Sequence, residues 1–130
     1  MFVSKIHITG YRCFREATVQ FRPSLNVIIG ENNSGKTALL EGIRWVLGGH
    51  RGRLDVYDFH HPRPVAAAPD EPPSIEIAAA LASSGSDDAD DDLACVADWL
   101  TRLADPWEAQ LTYKCFLPPR DAQAFRERLS

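Results

Sequence analysis

Eight residues, Gly30-Glu31-Asn32-Asn33-Ser34-Gly35-Lys36-Thr37, constrain this chain more than any other stretch, because two glycines, a lysine and a hydroxyl at this spacing make a phosphate-binding P-loop. Such a loop must leave the end of a buried strand and run into the first turn of a helix. Leu25-Asn26-Val27-Ile28-Ile29 reads as that strand, a nearly unbroken β-branched run of the kind found in parallel strands covered on both faces. Thr37 to Leu47 reads as the helix, with Leu39, Ile43, Val46 and Leu47 forming one apolar stripe, and Gly48-Gly49 ending it.

A nucleoside triphosphate presents several negative charges, many acceptor oxygens and a bound magnesium ion, and the motif answers each. Gly30 and Gly35 lack Cβ, so the backbone can curl and approach phosphates closely. Successive N–H groups from Asn33 to Thr37 form an anion nest at a helix N-terminus, where the partial charge is positive. Lys36 reaches the β- and γ-phosphates, and the Thr37 hydroxyl is placed to ligate Mg²⁺. The candidate nucleotide-binding set is therefore Gly30, Asn32, Asn33, Ser34, Gly35, Lys36 and Thr37, with ATP and Mg²⁺ as the expected cofactors.

The length of 130 residues and an apolar content of 45% suit one globular domain. No apolar run approaches the roughly 20 residues that span a bilayer, and Met1-Phe2-Val3-Ser4-Lys5 lacks the features of a signal peptide. A cytoplasmic protein with no membrane partner is expected. Cys13, Cys95 and Cys115 are an odd number with no close pair, which fits reduced thiols acting as small hydrophobes. His60-His61 has no third ligand at useful spacing and reads as a pair of loop histidines. The net charge of −4 divides unevenly: residues 1–54 carry eight Lys/Arg against three Asp/Glu, and residues 55–130 carry six against fifteen. A basic first half suits a surface that meets phosphates of a nucleotide or of nucleic acid.

Along the chain, Phe2 to Thr9 alternates, with Phe2, Ser4, Ile6 and Ile8 on one face. Gly10 and Tyr11-Arg12-Cys13-Phe14 read as a turn into a second strand carrying Ala17, Val19 and Phe21, an antiparallel pair. Residues 62–73, rich in proline and alanine, and the acidic run 83–92 read as flexible loops. Ser74 to Leu81 alternates again, with Ile75, Ile77, Ala79 and Leu81 inward. Asp92 reads as the cap of a helix from Leu93 to Ala104 with Val96, Trp99, Leu100 and Leu103 as its stripe. Glu108 to Leu117 reads as the last strand, and Asp121 to Leu129 as the opening of a further helix. This order predicts an α/β fold with a mixed sheet rather than a purely parallel doubly wound one.

Hydrolysis needs an acid on a second strand to hold Mg²⁺ and a group that orients the attacking water. No strand of four apolar residues ending in Asp is present, and Val56-Tyr57-Asp58 is a poor substitute, so no catalytic residue is assigned. The Asn-Lys-x-Asp pattern that reads guanine is absent as well. Binding of ATP is expected of this chain, and turnover by it alone is not.

Ile6-His7-Ile8-Thr9-Gly10-Tyr11-Arg12-Cys13-Phe14 together with Leu25 to Ile43 resembles the N-terminus of ABC-type ATPases of the RecF, SMC and OLD (overcoming lysogenisation defect) group, over about residues 2 to 48. The Gly-Glu-Asn-Asn-Ser-Gly-Lys-Thr form is most similar to OLD-type ATP-dependent endonucleases. The resemblance implies a P-loop NTPase fold in which residues 1–130 form the N-terminal lobe of an ATPase head. It also implies ATP held between two such heads, and hence a homodimer or a second ATPase head as partner. DNA contact through a full-length protein, in DNA repair or phage defence, is implied by the same likeness. It makes Arg12 a secondary nucleotide-binding candidate, toward phosphate or the adenine side. No signature motif or nuclease carboxylate is found here, so endonuclease activity transfers to no residue. Two further readings stay open: a non-hydrolysing module in which ATP sets dimerisation or partner docking, and a P-loop kinase of small molecules.

Overall fold

The computed structural model describes residues 1–31, 35–48, 52–54, 58–60, 74–85, 90–104, 106–116 and 127. The expectations for Asn32, Asn33, Ser34, His61, the 62–73 loop and the helix from Asp121 lie outside these residues or almost entirely so. Five strands form one sheet in the order β2-β1-β3-β5-β4. They are β1 (Phe2–Tyr11), β2 (Phe14–Gln20), β3 (Ser74–Ala82), β4 (Leu100–Arg102) and β5 (Glu108–Phe116). All four pairings are antiparallel. Helix α1 (Lys36–Val46) packs across the sheet, and a short α2 (Asp90–Val96) lies before β4. Sheet and helices realise the α/β class that the alternating patterns predict.

The inward residues of β3 are those the pattern selects: Ile75, Ile77, Ala79 and Leu81 are all buried. Beside them Ile6, Ile8, Leu39, Trp45 and Val46 complete the core between sheet and α1. The stripe of α1 is rotated from the expected one. Ala38, Leu39, Gly42, Trp45 and Val46 face inward, whereas Leu47 is exposed at the helix end and so is Leu40. Trp45 supplies the reason, since its ring packs against Tyr113 at 5.7 Å between centroids and turns that face toward the sheet.

Strand β1 runs two residues further than its alternation suggests, because Tyr11 pairs with Phe14 and only Arg12-Cys13 form the turn. Gly10, at φ +71°, changes the phase of the strand so that Tyr11 is buried like Ile6 and Ile8. Leu25–Ile29 is a larger correction. No strand forms there among the described residues, and Leu25, Val27 and Ile29 are exposed. None of the five strands pairs with this run, and β-branched side chains favour a strand only where neighbours pack on them. A local clasp holds it instead: Asn26 accepts from the Arg22 N–H at 2.9 Å and donates to the Arg22 carbonyl at 2.8 Å, around Ser24 at φ +77°.

The helix expected from Leu93 to Ala104 is also corrected. Helix α2 begins at Asp90, inside the stretch read as a loop, and ends at Val96; a 3-10 turn covers Ala97–Trp99 and the chain then enters β4. Leu100 and Arg102 pair with Ala109 and Glu108, so the last part of the apolar stripe is spent on a sheet edge, and Trp99 and Leu103 are exposed. Val96, Leu81, Ala109 and Trp107 make a second small core below it. Asp92 takes the N-terminal ammonium group at 3.4 Å.

Candidate functional site

The P-loop lysine opens α1, with Gly35 as its N-cap in a left-handed conformation at φ +98°. A side chain at Gly35 would be strained by that dihedral, and it would also collide: a Cβ there would lie 2.9 Å from Phe14 Cζ and 3.0 Å from Cys13 Sγ. The tip of the β1–β2 hairpin therefore floors the loop, a contact that spacing along the chain does not reveal. Among the described residues no side chain caps the first turn of α1 and no acidic residue sits in it. Its leading N–H groups and the positive end of its dipole suit an anion. Lys36 Nζ donates to the Gly30 carbonyl, so the lysine folds back over the loop toward its start. Thr37 is exposed on the same turn. The helix half of a phosphate site is present, with a lysine and a hydroxyl beside the leading N–H groups of α1, while the strand expected ahead of the loop is not formed among the described residues.

Arg12 sits at the hairpin tip with φ +48°. Its guanidinium lies 5.2 Å from the centre of the Tyr11 ring, and its Nε donates to Asp58 Oδ1 at 3.1 Å. Burial alone would lower the arginine pKa, but the Asp58 bond and the charges of Tyr11, Asp58 and Glu41 outweigh it and raise the value. On Tyr11 burial acts the other way and pushes the hydroxyl up. The backbone is held by the same neighbour. Arg12 N–H donates to the Asp58 carbonyl at 2.6 Å, His60 N–H donates to the Gly10 carbonyl at 2.9 Å, and Tyr11 bridges Phe59. His60 Nδ1 meets the Arg12 carbonyl at 2.8 Å, the satisfied loop position expected of it.

The structure thus brings Gly30, Gly35, Lys36 and Thr37 to one loop and helix start, with Arg12 one residue from the contact on Gly35. Asp58, weighed from sequence only as a poor magnesium ligand, is engaged by Arg12. Phe59, which reads in sequence as part of a connection, is buried in the main core. The short run Asp55-Val56-Tyr57-Asp58-Phe59, with apolar residues beside two acids, is the signal that could have found this pair. Cys13 and Cys95 are exposed and Cys115 is half-buried, so burial as small hydrophobes holds only partly. Among the described residues no three His, Cys, Asp or Glu side chains are grouped to hold a metal ion.

Residues 5–69, half of the chain, match the family described as the AAA domain. Curated relatives include the DNA replication and repair protein RecF of Desulfitobacterium hafniense, 39% identical over 54 residues that cover 42% of this chain and 15% of that protein. RecF of Streptococcus agalactiae is 41% identical over 66 residues, covering 47% of this chain and 18% of the relative. The chain thus spans under a fifth of the length of these relatives. A solved structure reported under ATP-driven dimerization and DNA stimulated activation of SMC ATPases aligns with 99% of this chain and 80% of its own, at 16% identity and a TM-score of 0.49.

Proposed function

The chain belongs to the AAA domain family, its matched segment corresponding to the N-terminal part of ABC-type ATPases of the RecF and SMC kind, and from that premise we propose that it binds Mg-ATP at the start of α1. The observation that supports this reading is Gly35, the N-cap of α1, which holds a left-handed dihedral that favours glycine and packs directly against Cys13 and Phe14 of the hairpin tip. Gly30 to Thr37 cradle the phosphates through backbone N–H groups, with Asn32, Asn33 and Ser34 as the middle of that set. Lys36 exchanges its Gly30 acceptor for β- and γ-phosphate oxygens. The Thr37 hydroxyl is a ligand for the magnesium ion, which when bound neutralises phosphate charge. Arg12 approaches from the hairpin side.

Residues 1–130 act as the N-terminal lobe of an ATPase head that meets a second head across ATP. RecF-like DNA repair is the setting that the family favours, with DNA as a partner of a longer protein in the cytoplasm. An OLD-type role, in phage defence or beside a nuclease, rests on the Gly-Glu-Asn-Asn-Ser-Gly-Lys-Thr form alone. A second reading, a nucleotide-dependent docking module without turnover, is favoured by the engagement of Asp58 with Arg12.

Titration calorimetry tests the site. Wild-type protein is expected to bind Mg-ATP, and Lys36→Ala to lose measurable binding, because the charge that meets the phosphate oxygens is gone. Undiminished affinity in that variant overturns the P-loop assignment.

A further inference from the structure

Arg12 is held at more points than an exposed turn arginine needs. Its N–H is bound by the Asp58 carbonyl, its own carbonyl by His60 Nδ1 and its Nε by Asp58 Oδ1, all from one three-residue segment. The Tyr11 ring lies against its guanidinium. Among the described residues no hydrogen bond reaches either Nη nitrogen. The result is an arginine fixed through its inner edge with its outer fork engaged by no described residue. Such a fork matches two phosphate oxygens at once, which an ammonium group cannot do.

The direction of that fork matters because the next two residues of the chain already border the phosphate loop. Cys13, a single Cα step of about 3.8 Å away, touches the space over Gly35, and Phe14 does the same. The ion pair is part-buried, with the Arg12 side chain 37% and Asp58 17% exposed, and the Tyr11–Phe59 bridge and the flanking backbone bonds attach the same segment to the hairpin.

We propose that Asp58 is a positioning residue for the nucleotide: by holding Arg12 through Nε it fixes the open Nη edge toward the phosphates bound at the start of α1. This rests on reading Gly30 to Thr37 as the phosphate site and Arg12 as its hairpin-side contact. Asp58 touches neither nucleotide nor metal. Without its carboxylate, the Arg12 side chain samples many rotamers, and fixing one of them again costs free energy at each binding event.

The test is Mg-ATP affinity by titration calorimetry on the 130-residue protein, with melting temperatures alongside. Arg12→Ala and Asp58→Ala are each expected to weaken binding about tenfold, the effect of one charge-assisted contact. Asp58→Asn, which keeps an oxygen acceptor for Nε, retains more affinity than Asp58→Ala. The double variant Arg12→Ala/Asp58→Ala binds no more weakly than Arg12→Ala, since Asp58 acts only through the arginine. Asp58→Ser takes the place of Asp58→Ala if the latter does not fold. Wild-type or tighter binding by the truncated Asp58 variant, beside weakened Arg12→Ala, overturns the proposal and leaves the Arg12 contact standing. Losses that multiply in the double variant also overturn it, as they mark a role independent of Arg12. If Arg12→Ala itself binds like wild type, the Arg12 contact falls and the proposal with it, whereas Lys36→Ala judges the phosphate site separately.

Discussion

A methyl group on Gly10 would sit 2.3 Å from the carbonyl oxygen of Ser74, a backbone atom at the start of β3 that cannot rotate aside. The residue also lies at φ +71°, where a side chain costs about 1 to 2 kcal/mol before any overlap. Gly10→Ala is therefore expected to destabilise the protein by more than about 2 kcal/mol, read as a lower urea midpoint at unchanged slope. A midpoint equal to wild type would show that the hairpin can shift away from β3. Gly10 and Gly35 bracket the two contacts that place Arg12, one fixing the hairpin against the sheet and the other admitting its tip over the loop. Their places are visible in the sequence as glycines in a turn and in a motif. The atoms that make them necessary, Ser74 O in one case and Phe14 Cζ in the other, lie 64 and 21 residues away in the chain and become neighbours only on folding.

At the scale of elements, alternation is the dependable signal and helical periodicity the less dependable one. Strands β1, β2, β3 and β5 follow their period-two patterns because each has one face on the core, and a one-residue slip would expose the whole set. The pattern from Leu93 to Leu103 fits a helix equally well on paper. Joining the edge of β5 gives Leu100–Arg102 backbone partners in a ladder, and the stripe breaks at Trp99. What the stripe would have buried is buried by Trp107 instead, which packs with Leu81, Val96 and Ala109. Trp107→Ala is expected to cost about 3 kcal/mol through the cavity it leaves, measured as a lower denaturation midpoint. A loss below about 1 kcal/mol would mean that this second core collapses freely around the gap.

For the molecule as a whole, the sheet of five strands leaves the apolar run ahead of the P-loop outside its ladders. Leu25 is 84% exposed, Val27 71% and Ile29 90%, a clustering of large apolar surface beyond the singly scattered kind. Beside it Phe2, Val3, Phe21, Ile28, Leu40 and Ile43 line an apolar groove of about 380 Å³. The 130-residue protein is expected to bind the dye ANS at this surface, and Ile29→Lys to lower the fluorescence without lowering the melting temperature. Equal dye binding in both proteins would place the accessible apolar surface elsewhere.

The sequence by itself determined the P-loop motif and the faces of the strands, because such a motif is a local pattern and alternation is a property of the extended backbone. Residues i and i+2 point the same way whatever the rest of the chain does. Tertiary structure alone decided which apolar runs found partners: Leu25–Ile29 reads as a strand and has no ladder, and Leu100–Arg102 reads as helix and has one. It alone also placed Asp58 on Arg12 across 46 residues of chain. Hydrogen-bond partners and ion pairs between distant segments depend on the path of everything between them, and no local pattern carries that path.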